Sequence, residues 1–169
     1  NNNWQRVFLP SFYCHEVTNF IKSLNIKIEY YDFNPFLDSI DKQILIEDCE
    51  TNIIINVSFF GVVKLNLENF KRAVLIDDYT HNLFAIKESS AHYCFGSLRK
   101  ELPIPVGGFC YSPRNLKLPT ENSSAIGDVV AAKKLTAMCL KSLYLNSEIS
   151  DKKIYRDLFA KAEEDFENQ

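Results

Sequence analysis

The order of apolar and polar residues along the chain predicts strands alternating with helices. "RVFLPSF" reads as a short apolar strand running to Pro10, and "HEVTNFIKSLN" follows with Val17, Phe20, Ile21 and Leu24 spaced as one helical face. "KIEYYDF" alternates as a strand, "KQILIED" reads as another short apolar strand, and "TNIIINVSFF" is an almost unbroken β-branched and aromatic run, the pattern of a strand covered on both faces. After Gly61, "NLENFKRA" reads as a short crossover helix started by Asn66, leading into "AVLIDDYTH", a buried strand that closes on Asp77 and Asp78. "AHYCFGSL" and "GGFCYSP" supply two more strands around the stretch "GSLRKELPIPVGG", and from 128 to 145 and again from 151 to 166 the pattern turns helical and charged. The expected fold is α/β, three-layered, with a mostly parallel sheet flanked by helices, formed as one domain over 1–169 with a helical C-terminal segment at 128–169.

Ligands in such sheets bind beyond the carboxyl ends of the strands, which selects 77–81 and 97–100 as candidate segments. A carboxylate such as Asp78 at the end of a buried strand needs a cation or several hydrogen bonds; it reads either as a loop or helix cap or as the partner of a bound cationic group. Lys100 precedes Leu102, Pro103, Ile104, Pro105 and Val106, and an amine in a partly dry setting loses its proton readily enough to form a Schiff base. His81 taken alone reads as a loop histidine, and His15 and His92 read as structural. Asp77 and Asp78 would be the start of a Mg²⁺ site, but nothing else in the sequence supplies a ligand cluster.

Composition narrows the classes. With 169 residues, 46% apolar and 13% aromatic, the chain is able to bury a substantial core. A net charge of −3 with Lys and Arg scattered along the chain argues against a nucleic-acid partner. The five cysteines fall in no paired spacing for zinc or a disulfide framework, so reduced thiols are expected. No apolar run has the length of a membrane span and no signal peptide is evident, so a cytoplasmic location without membrane association is expected. The chain begins "NNNWQRVFLP", without an initiator methionine and almost directly in a strand, the expectation being a piece of a larger protein.

Taken in order, these segments resemble a known family. "VLIDDYTHNLF" resembles the strand of fold-type-I pyridoxal-phosphate aminotransferases that ends in Asp-x-x-His, and "SLRKELPIPVGG" resembles the cofactor-lysine segment of their DegT-like, sugar-aminotransferase branch. "VFLPSFYCHEVTNFIKSLNIKIEYYDFNP", "INVSFFG", "KKLTAMCLKSLYL" and "YRDLFAKAEEDFE" are similar, in the same order, to the surrounding units of that large domain. The resemblance implies that Lys100 forms the Schiff base with pyridoxal phosphate and then moves the proton between substrate and cofactor carbons. It implies that Asp78 accepts a hydrogen bond from the pyridine nitrogen, and that Tyr13 or its neighbour Phe12 stacks on the ring. Ser97 and Arg99 would bind the phosphate, His81 would orient Asp78, and Ser58 would line the site.

The chain also departs from the family. No Gly-Ser/Thr turn for the phosphate cup and no full C-terminal domain are present, so the large domain is expected to be incomplete, with exposed apolar surface. The implied activity is transfer of an amino group from an amino donor to a keto-sugar nucleotide or similar carbonyl, by a homodimer. The alternative is a catalytically inactive relative acting as a binding or assembly module. An unrelated nucleotide-binding enzyme with a metal on Asp77 and Asp78 ranks below both, since no glycine-rich phosphate loop supports it.

Overall fold

The computed structural model describes residues 4–39, 42–120 and 125–167. The chain divides into two compact units, one of Asn1–Lys100 with Gly108–Leu118 and one of Glu101–Gly107 with Pro119–Gln169.

The first unit is an α/β sheet. β1 (Arg6–Pro10), α1 (His15–Ser23), β2 (Lys27–Tyr31), β3 (Asn52–Val57), β4 (Val74–Asp78), β5 (Tyr93–Ser97) and β6 (Gly108–Tyr111) follow in chain order. The six strands lie in the order β2-β1-β3-β4-β5-β6, all parallel except β6, which runs antiparallel to β5. All six residues of β3 are buried, as its β-branched run requires of a central parallel strand. The edges are blunter: β2 carries Lys27 and Glu29 in an ion pair, and β6 is largely exposed. Val7, Leu9, Ile54, Val57 and Leu75 form the centre of the core.

Helix α1 forms where the apolar spacing predicts it, but it is rotated. Thr18 and Ile21 are buried and Val17 packs on the core, while Phe20 and Leu24 face outward. The helix stops at Asn25, whose left-handed backbone (φ 56°) lets its N–H return to the carbonyl of Lys22.

Two expected elements are absent from the sheet unit. Residues 42–48 form no strand: Leu45 is wholly exposed, Ile44 and Ile46 lean on the core, and the places beside β1 are already taken by β2 and β3. Residues 66–73 form no crossover helix. Leu65 and Leu67 are buried at a spacing of two, as in an extended chain, and Asn66 makes a local turn by accepting the Glu68 N–H at 3.0 Å. Asp48 ties these irregular segments together by accepting the backbone N–H groups of Lys71, Arg72 and Ala73. A tight turn at Phe60 and Gly61, both at positive φ, leads from β3 into the crossover.

The second unit holds α2 (Ala125–Leu145) and α3 (Lys153–Glu167), which pack on one another. Lys134 is buried in α2 yet reaches Glu163 at 2.9 Å, Lys133 pairs with Asp165, and Tyr144 meets Tyr155 at 5.6 Å. These cross-links run from opposite ends of the two helices, so the pair is antiparallel. No helix among the described residues is long and apolar enough to cross a membrane.

Close packing at Gly96 makes one test. A Cβ there would stand 2.7 Å from the Phe109 ring and 3.1 Å from the Tyr79 backbone, so Gly96→Ala is expected to destabilise the protein by about 1–3 kcal/mol in urea unfolding. Asp48 makes a second. Burial pushes its carboxyl up, but the N–H groups of residues 71–73 outweigh this and hold it below the usual range. A lowered folded-state value means stability that is present above the unfolded value near 3.9 and lost as pH falls through the folded one. Asp48→Asn is expected to lose about 1 kcal/mol at neutral pH and to show a flatter acid limb in urea titrations from pH 6 to 2.

Candidate functional site

The candidate site lies at the carboxyl end of the parallel strands. β1 turns one way to β2 and β3 lies on its other side, so the crevice between β1 and β3 is the point where such sheets bind ligands. The strand ends there carry Phe12 and Tyr13 after β1, Ser58 after β3, and Asp78 and Thr80 at β4.

Asp77 and Asp78 are adjacent in a strand and therefore project to opposite faces. Both are buried, at 3% and 5% exposure, yet they are neutralised differently. The Asp77 carboxylate takes the Lys64 ammonium at 2.5 Å and the Ser89 hydroxyl, and Lys64 also donates to the Tyr79 hydroxyl at 2.9 Å. Burial pushes the Lys64 amine down, but the Asp77 charge and its hydrogen bond outweigh this and hold it above its ordinary value.

Asp78 has no cation among the described residues. Its Oδ2 accepts the Tyr13 hydroxyl at 2.9 Å and its Oδ1 accepts the Thr80 N–H at 2.8 Å. Burial, followed by the nearby Asp78 charge, pushes the Tyr13 phenol far above its ordinary value, so the hydroxyl keeps its proton and donates. The loop bearing Tyr13 is pinned by Ser11, whose N–H reaches the Tyr31 carbonyl and whose hydroxyl reaches the Phe33 carbonyl.

The other expected residues are placed as follows. Phe12 is half exposed and packs against Phe36 and Phe59, with ring centroids 6.1 and 5.9 Å away. His81 packs on the Phe60 ring at 5.1 Å, and the groups that orient Asp78 are Tyr13 and Thr80. Ser58 accepts from Asn82 at 2.9 Å and lines a cavity of about 220 Å³ with Tyr79 and Lys64. Because Asn56 pairs with Asp77, Ser58 stands on the Asp77 face, away from Asp78.

Ser97 lies on the Asp78 face, two residues beyond Phe95, which pairs with Asp78. Its N–H donates to the Thr80 hydroxyl at 3.3 Å, stitching the ends of β4 and β5 together. The chain then makes a short 3-10 turn over Leu98–Lys100. Arg99 and Lys100 are both exposed. Leu102 and Pro103 are exposed as well, and Ile104, Pro105 and Val106 are half-buried.

Lys64 was not legible as a site residue. It stands after an apolar pair, Val62-Val63, and only the folded crossover carries it to Asp77 thirteen positions on. His92 is structural in its contacts: Nδ1 accepts the Leu75 N–H at 3.0 Å, and burial together with Arg114 lowers its pKa. Among the described residues no cluster of His, Cys, Asp or Glu is placed to hold a metal ion.

Comparison of this chain with family models, with curated proteins and with solved structures gives no match.

The Lys64–Asp77 pair predicts a specific alkaline behaviour. Its raised folded-state value gives stability that is complete below the unfolded lysine value near 10.4 and fades as pH rises through the folded one. Lys64→Met leaves Asp77 buried without its cation and is expected to cost on the order of 3 kcal/mol at pH 7. Unfolding followed from pH 7 to 12 should show that deficit shrinking as the wild-type amine deprotonates.

Proposed function

We propose that the chain is the central part of the large domain of a pyridoxal-phosphate-dependent aminotransferase of the DegT-like, sugar-aminotransferase type. It transfers an amino group from an amino donor to a keto-sugar nucleotide or similar carbonyl substrate, as a homodimer. The observation that carries the reading is Asp78: a buried carboxylate at the carboxyl end of a parallel strand, held by neutral donors alone among the described residues. Such a group suits a cationic N–H, because a protonated ring nitrogen supplies the positive charge that the protein withholds. The strand order adds support, since Asp78 and the 97–100 segment leave the neighbouring strands β4 and β5 at the same end of the sheet.

Pyridoxal phosphate, when bound, supplies a ring that withdraws electrons from the carbon next to the substrate's amino group. In this reading Asp78 keeps the ring nitrogen protonated. Lys100 would hold the cofactor covalently, and its amine would serve as the acid and base for the proton that moves in the reaction. Ser97, the last residue of β5, and Arg99, in the turn that follows, would bind the phosphate, and the aromatic pair Phe12 and Tyr13 would border the ring.

A second reading, a non-catalytic relative serving as a binding or assembly module, draws support from the exposure of Lys100. The two readings part at that residue. Added pyridoxal phosphate is expected to give the wild-type chain a visible absorbance band and, after borohydride reduction, a mass adduct on the peptide containing Lys100, both lost in Lys100→Ala. Identical uptake by wild type and variant would remove the catalytic assignment.

A further inference from the structure

We propose that His92 and Arg114 form an oxyanion-binding pair on the Asp77 side of the sheet, and that its ligand is a small phosphorylated molecule whose hydroxyl groups occupy the cavity lined by Arg114 and Asp77. Asp78 projects from the opposite face, so the site is separate from the one described above.

The hydrogen bonds of His92 leave one donor too many. Burial, followed by the Arg114 charge, lowers the His92 pKa, so at neutral pH the imidazole has one N–H and one lone pair. Its Nδ1 accepts the Leu75 N–H at 3.0 Å while the His92 backbone N–H returns to the Leu75 carbonyl at 3.0 Å, a reciprocal pair with a strand residue. The ring proton therefore sits on Nε2. That atom stands 2.9 Å from Nη1 of Arg114, and a guanidinium has only hydrogens to offer, so two donors face one another. An oxyanion beside them accepts both and removes the conflict.

Arg114 is held beside the ring. Its Nε donates to the Ser90 carbonyl at 2.9 Å, and the turn that carries it is tied down by Ser112, whose hydroxyl donates to the His92 carbonyl at 2.8 Å and accepts the Leu116 N–H at 2.9 Å.

The cavity defines the rest of the ligand. Its volume is about 490 Å³, within the range of small-molecule sites and larger than a phosphate alone requires. Lys64 and Asp77 close on one another, which leaves Lys71 and Arg114 in its wall to attract an anion and Glu68 and Glu88 to repel one. The oxyanion is therefore confined to the donor pair, and the two glutamates are acceptors for hydroxyl groups. A phosphate monoester of a polyol has both parts.

The test follows the three histidines of the 169-residue chain by ¹⁵N NMR, with His92 assigned through His92→Gln. At ionic strength balanced with chloride, glucose-6-phosphate is expected to move the His92 Nε2 resonance saturably, to leave His15 and His81 in place, and to bind about tenfold more tightly than inorganic phosphate. Arg114→Gln is expected to weaken binding by about tenfold or more, and Lys71→Gln by about threefold, with far-UV circular dichroism unchanged. A His92 resonance that moves with neither phosphate, or a folded Arg114→Gln that binds as the wild type does, overturns the site. Equal affinities for the two phosphates overturn the assignment of the cavity to the body of the ligand. If Arg114→Gln does not fold, Lys71→Gln decides in its place, and unchanged affinity there overturns the site.

Discussion

Burying two consecutive carboxylates at the end of a central parallel strand is the constraint around which the sheet unit is arranged. A charge moved out of water must be met by a counter-charge or by hydrogen bonds, and adjacent residues of a strand cannot share one partner because they face opposite ways. The crossover between β3 and β4 therefore folds back to deliver Lys64 to Asp77, and the loop after β1 delivers Tyr13 to Asp78. Each connection is shaped by a carboxylate it serves.

This division explains why the two faces differ in character. Lys64, Asp77, Tyr79 and Ser89 close on one another, a self-satisfied cluster that joins the crossover to β4 and to the end of the 3-10 helix Leu83–Glu88. On the other side the Asp78 charge is oriented by neutral donors and left without a cation among the described residues. A structural role accounts fully for Asp77. Asp78, buried without a cation among the described residues, lies at the same end of the sheet as the turn bearing Lys100.

The strands, α1 and the two C-terminal helices were legible because their signals are local. Three consecutive isoleucines in β3 admit little but a central strand, and the closing aspartates mark where β4 leaves the core. The same local rules misread 42–48 and 66–73. Alternating apolar residues there satisfy the core from irregular backbone, once Asp48 accepts the N–H groups of residues 71–73 that a helix or sheet would otherwise have paired. In α1 the periodicity was right and the buried face was not: nothing within nine residues specifies that Thr18 rather than Phe20 turns inward.

The sequence by itself determined the α/β character, the parallel core and the carboxylate at the end of β4, because hydrophobic periodicity and the burial of β-branched runs are properties of neighbouring residues. Only the tertiary structure decided what each aspartate touches. Lys64 and Tyr13 lie 13 and 65 positions from their partners, and a side chain that far along the chain is brought to a carboxylate by strand order and loop path, which no short window of residues encodes. It also decided that Lys100 is exposed, which apolar neighbours in sequence do not specify.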